Sequence, residues 1–121
     1  MSPLLAGISG GAAALDVDVQ NKYIYWSNAV NDTIERVSLS HIGAVESIIN
    51  MNLKLVEGIA FDWINRKLYW TDGMRRVIEV TDPEETSLRL TLVKGLDKPR
   101  AIVLHPKTRY CLWRVFYFGI E

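Results

Sequence analysis

A single cysteine, Cys111, stands in the 121 residues. The chain therefore closes no disulfide on itself and builds no multi-cysteine zinc site. With Tyr110, Leu112 and Trp113 around it, this thiol reads as a packed strand residue rather than a reactive one. Net charge is missing too, since 14 basic residues balance 14 acidic ones. Neither sign dominates, so no nucleic-acid partner is expected. No run approaches the roughly 20 apolar residues that cross a bilayer, and direct membrane insertion by these residues is not expected. Sustained helical periodicity is absent, as are a nucleophile elbow, a phosphate loop, a zinc pair and a paired-carboxylate motif. A non-enzymatic protein with no metal and no cofactor is the expectation. Residues 1–13 read as a lead segment. Met1–Ala6 lacks the positive flank of a secretion signal and Gly7, Gly10 and Gly11 break its apolar run. A start inside a longer protein is favoured over a signal peptide ending near Ala12–Ala14.

What the chain does contain is repetition. Tyr69-Trp70-Thr71-Asp72 has a near copy, Tyr25-Trp26-Ser27-Asn28, 44 residues earlier. At that offset Asp18 meets Asp62, Asn21 meets Asn65, Ile34 meets Ile78 and Glu35 meets Glu79. A third, partial copy lies 43 residues further on, where Ile59 meets Ile102, Arg66 meets Arg109 and Trp70 meets Trp113. A period in the low forties with a tryptophan on one strand marks a β-propeller blade array. The fold class expected is all-β: a partial β-propeller of two complete four-stranded blades plus part of a third. The divisions fall at 14–57, 58–100 and 101–121, the last with a divergent tail.

Short strands are expected at Ala14–Val19, Tyr23–Ser27, Thr33–Leu39, Val45–Ile49, Gly58–Asp62, Lys67–Thr71, Val77–Val80, Leu88–Val93 and Ala101–Leu104. The turns Gln20-Asn21-Lys22 and Ile64-Asn65-Arg66 each offer an Asn for an unusual backbone angle. Tyr69 and Trp70 are adjacent and so point to opposite faces of their strand. A strand with aromatics on both faces needs cover on both, which blades packed between blades provide. That argues for Trp26 and Trp70 as packing residues, against a platform for stacking sugars or bases.

These motifs, with Gly58-Ile59-Ala60-Phe61-Asp62 leading into Tyr69–Asp72 and Lys98-Pro99-Arg100-Ala101-Ile102 opening the next copy, resemble low-density-lipoprotein receptor class B repeats. The resemblance spans about residues 14 to 113. It implies a six-bladed propeller in the extracellular part of a lipoprotein, endocytic or Wnt co-receptor, with an epidermal-growth-factor-like module beyond it. It also implies that Thr71 and Asp72, and by analogy Ser27 and the uncharged Asn28, tie neighbouring blades together. The third copy departs from the pattern: Cys111-Leu112-Trp113-Arg114-Val115 has no Thr-Asp pair, and the tail Phe116–Glu121 matches nothing in the repeat. Two blades and part of a third leave interblade faces and strand edges open. The expectation is a piece of a larger receptor whose remaining blades are its partners.

Strands that run up and down place loops alternately on two rims. One rim then carries Asn28–Asp32, Leu55–Glu57, Asp72–Arg76 and Lys98–Arg100. In the resembled family this face binds proteins, which makes Glu57, Arg75, Arg76, Lys98 and Arg100 the candidate contacts for an extracellular protein ligand. Arg75 and Arg76 beside Glu57 would offer charge-assisted bonds. The plainer reading of each is solvated loop charge. Asn31-Asp32-Thr33 is an acceptor triplet for an N-linked glycan. Asp16, Asp18 and Asp62 sit on separate strand positions, which suits local turn capping better than calcium. His41 and His105 are the candidates for a pH switch, though His105 aligns with Asp62 and reads as a turn residue.

Overall fold

Ten strands follow one another with no helix among the described residues of the computed structural model. The backbone is described for residues 12–41, 43–107 and 110–117, and side chains for 14–41 and 43–105. The strands are β1 (Ala12–Asp18), β2 (Tyr23–Asn28), β3 (Thr33–Ser38), β4 (Val45–Ile49), β5 (Val56–Asp62), β6 (Lys67–Asp72), β7 (Val77–Asp82), β8 (Glu85–Lys94), β9 (Pro99–Lys107) and β10 (Tyr110–Tyr117). They form two antiparallel four-stranded meanders, β1-β2-β3-β4 and β5-β6-β7-β8, followed by the pair β9-β10. This is the partial propeller expected, with β1, β5 and β9 as the inner strands.

The inner strands begin at Ala12, Val56 and Pro99, each two residues ahead of the expected blade division. The register against the next strand slips at that end in all three sheets: between Ala12 and Leu15, between Val56 and Gly58, and opposite Pro99 between Val115 and Tyr117. A bulge inserts an extra residue and sharpens the twist, so the alternation that marks a strand is interrupted there. β7, β8 and β9 likewise outrun their expected limits. His105 lies within β9, opposite Leu112 on β10, and not in a turn. Trp63 stands in the β5–β6 turn and is exposed.

Hairpin turns differ from expectation in one detail. The left-handed residue is Lys22 (φ 59°) and Arg66 (φ 59°), not the Asn before each. Asn65 instead donates from Nδ2 to Asp62 Oδ2 at 2.9 Å, while Asp62 Oδ1 accepts the amides of Ile64 and Asn65. The carboxylate thus shapes the turn, and the left-handed conformation passes to the residue after the Asn.

The core lies between sheets. Tyr25 of β2 stacks on Phe61 of β5, ring centroids 5.5 Å apart at 12°. Trp70 packs with Ile34 and Ile49 of the first sheet and Leu53 of the β4–β5 linker, while its neighbour Tyr69 packs towards Ile102 and Leu104 of β9. Trp26 is 1% exposed and Trp70 0%. Neither indole offers a face for a ligand to stack on.

Candidate functional site

The Tyr-Trp-Thr-Asp segment ends at the rim, and its last two residues bond in opposite directions. The Thr71 hydroxyl donates to the carbonyl of Arg100 on the following inner strand. Asp72 reaches back: Oδ2 accepts the amide of Lys54 at 2.9 Å and Oδ1 that of Leu55 at 3.1 Å, in the linker that enters its own blade. Oδ1 also caps the β6–β7 turn through the amides of Met74 and Arg75. Ser27 repeats the Thr role, donating to the Val56 carbonyl at 2.9 Å. Asn28 differs. Its Oδ1 caps its own turn at Val30 and Asn31, and its Nδ2 donates to Glu35 Oε1 at 3.0 Å.

Electrostatics explain that difference. Asp72 and Glu79 are both buried, at 0% and 3% exposure, and two buried carboxylates need a shared cation. Arg75 supplies it, 2.8 Å from Glu79 and 3.9 Å from Asp72. In the first blade the equivalents are Asn28, Asn31 and Glu35. The Asn28 amide donates to Glu35 directly, and position 31 is released from carrying a cation. Glu79 also accepts from Arg89 and Thr91. Burial works most strongly against its ionisation, but the bonds from Arg75, Arg89 and Thr91 together outweigh that and hold its carboxyl below the usual range. Arg89 then carries the network to the first blade, donating to the carbonyls of Met51 and Asn52.

The five candidate contacts do not act as one cluster. Arg75 is committed to Glu79 and does not stand free beside Glu57. Arg76 donates to the carbonyls of Leu96 and Gly95 in the β8–β9 linker. Glu57 pairs instead with Arg100, at 3.4 Å. Three candidates do converge: Glu57, Lys98 and Arg100 frame an open hollow of about 460 Å³ floored by Leu55, Gly73, Met74 and Pro99. Met74 is 67% exposed. Leu55 and Met74 are not among the candidates drawn from the sequence, all of which are charged. An apolar residue at the centre of each loop was the available signal.

Glycine makes this rim close. A methyl on Gly58 would strike the Arg100 carbonyl and sit 2.8 Å from Thr71 Oγ1. The opposite rim is held by charge, with Arg66 bridging to Asp18 of the preceding blade. Asp16 Oδ2 accepts the Phe61 amide at 2.8 Å. The three aspartates weighed for calcium therefore serve backbone amides and an arginine. Asn31 is exposed in the β2–β3 turn. Trp113 lies on β10 opposite Leu104, but its side chain and that of Cys111 are outside the described residues, as are residues 1–11 and 118–121.

No protein-family model matches the chain. Individual proteins do. Low-density lipoprotein receptor-related protein 5 of Mus musculus is 40% identical over 113 residues, covering 93% of this chain and 7% of that protein. The low-density lipoprotein receptor-related protein 5-like protein of Homo sapiens is 35% identical over 91 residues, 75% of this chain and 36% of the relative. Among solved structures, a chain in the crystal structure of a nidogen/laminin complex superposes with a TM-score of 0.72 at 36% identity, over 78% of this chain and 36% of that one. Hydrazine synthase of Kuenenia stuttgartiensis shares the fold alone, with a TM-score of 0.68 at 15% identity over 91% of this chain and 30% of that one. This chain thus spans 7% and 36% of the lengths of the two receptor-related proteins. The repeat spacing, the two-way bonding of the Thr-Asp pair and these likenesses converge, and the chain belongs to the low-density-lipoprotein receptor class B (Tyr-Trp-Thr-Asp) repeat family as a receptor-related propeller segment.

Proposed function

We propose that this chain is an extracellular, non-enzymatic protein-binding segment of a lipoprotein-receptor-related endocytic or Wnt co-receptor, presented on the outer face of the plasma membrane by its parent. The rim hollow carries the proposal. Leu55, Met74 and Pro99 give an apolar floor inside a frame of Glu57, Lys98 and Arg100, the arrangement of buried anchor and polar rim that protein interfaces use. Methionine adapts to the shape of what it meets. The solved relative comes from a complex of two proteins, which agrees with a protein partner. The aspartates support the non-enzymatic reading, because they are spent on turns, linkers and Arg66.

Alanine replacement of Met74, Glu57 and Arg100 in the intact receptor tests this by ligand titration. A central anchor costs about 2 kcal/mol, roughly thirtyfold in Kd, and rim charges less. A second reading has its own support. Arg76 holds the β8–β9 linker and Arg89 ties the second blade to the first, while Arg75 braces its own blade, as in a segment that only completes a ring. Unchanged affinity in all three variants, with normal surface expression, would select that structural role.

A further inference from the structure

We infer that Asn31 carries an N-linked glycan and that Thr33 keeps its hydroxyl for that attachment rather than for the fold. This rests on the extracellular reading above. The triplet Asn31-Asp32-Thr33 is the only one of its kind in the sequence. Its Asn is exposed at a hairpin turn, with its backbone amide bonded to Asn28 Oδ1.

The third residue carries the argument. Thr33 Oγ1 is buried and has no hydrogen-bond partner among the described residues. A buried hydroxyl without a partner opposes folding. The second blade shows what the fold itself prefers at this place. Thr33 pairs with Asn28 as Val77 pairs with Asp72, and Val77 is a buried residue of the same shape without the hydroxyl. The hydroxyl therefore contributes nothing that the folded hairpin uses. Its use lies before folding, when the extended triplet meets the glycosylating enzyme and the Thr hydroxyl is still accessible.

The neighbouring residues make room for the modification. Where the second blade needs Arg75 for its buried carboxylates, the first has Asn31, released by the Asn28–Glu35 bond. In the transfer, Asn31 Nδ2 forms a bond to the anomeric carbon of a lipid-pyrophosphate-linked oligosaccharide. The bond from that carbon to the pyrophosphate oxygen breaks, the lipid pyrophosphate leaves, and the amide nitrogen gives up one proton. A glycan here covers the first blade's turn, while the hollow around Met74 opens from the second blade and the linker to β9.

The test expresses the full chain behind a heterologous secretion signal, with a C-terminal tag bearing its own acceptor triplet. Glycan on the tag confirms entry into the lumen, so the outcome at Asn31 is independent of whether the parent is a receptor. Peptide mass after amidase deglycosylation should show conversion at position 31. Asn31→Gln and Thr33→Val should each abolish it, and Thr33→Ser should retain it. In unglycosylated protein, Thr33→Val should leave the denaturation midpoint unchanged or higher. A wild-type chain with glycan on the tag and none at Asn31 overturns the inference. So does a lowered midpoint for Thr33→Val, which would give the hydroxyl a role in the fold.

Discussion

Glu79 shows how much of this propeller is held by charge placed out of water. Its folded pKa is depressed from the ordinary 4.5, so it adds stability that is complete above that value and is lost as pH falls through the folded pKa. Glu79→Gln should therefore flatten the pH dependence of stability below about pH 4.5, read by denaturant midpoints across an acid series. It should also destabilise at neutral pH, because Arg75 and Arg89 lose their common anion. A variant as acid-sensitive as the parent would show that the network carries no linkage. Thr71 is a second lever at this scale. Thr71→Val keeps the shape but leaves the Arg100 carbonyl without its donor, a loss of about 1–3 kcal/mol to be measured by chemical denaturation.

Among elements, β5 and β9 approach closely at Gly58. Gly58 lies against the Arg100 carbonyl, Thr71 Oγ1 and the Ile102 amide, and all of these are backbone or short, bonded groups. None yields as the end of a flexible side chain would. Gly58→Ala should push β9 away from β5, costing about 1–3 kcal/mol as overpacking does and removing the Thr71 bond with it. Amide exchange along residues 100–104 would report the separation, and unchanged protection there would refute it. Ala14 occupies the same repeat position in the first blade, so the requirement for glycine belongs to this one junction and not to the repeat.

At the scale of the whole molecule, the second sheet presents an unfinished face. Leu88 and Leu90 of β8 are 62% and 61% exposed and border a hollow with Tyr69 and Val80. The equivalent face of the first sheet is closed, by Tyr25 on Phe61 and by Arg36 reaching Glu84 at 2.6 Å. Val80 stands where Arg36 does, so this face asks for apolar cover. The isolated chain should self-associate through it. Leu90→Lys should lower the sedimentation-averaged mass while changing stability by less than about 0.5 kcal/mol. Association that persists in this variant would place the contact elsewhere.

By itself the sequence determined the all-β class, the two complete blades with part of a third, and the buried place of both tryptophans, while β10 was not among the strands it marked. Those follow from periodicity and from adjacent aromatics, which are local properties of the chain. It also gave the direction of the rim loops, since alternating strands leave no other choice. The tertiary structure alone decided which rim charges are available. Arg75 and Arg76 look like Lys98 in a loop string, yet one meets a buried carboxylate and the other two carbonyls. Glu79 is near Arg75 in sequence, but its burial is set by packing, and the Leu96 and Gly95 carbonyls that hold Arg76 come from a distant linker, so no local pattern shows either commitment. The same holds for Thr33: a hydroxyl is visible in the sequence, but its lack of a partner depends on everything packed around it.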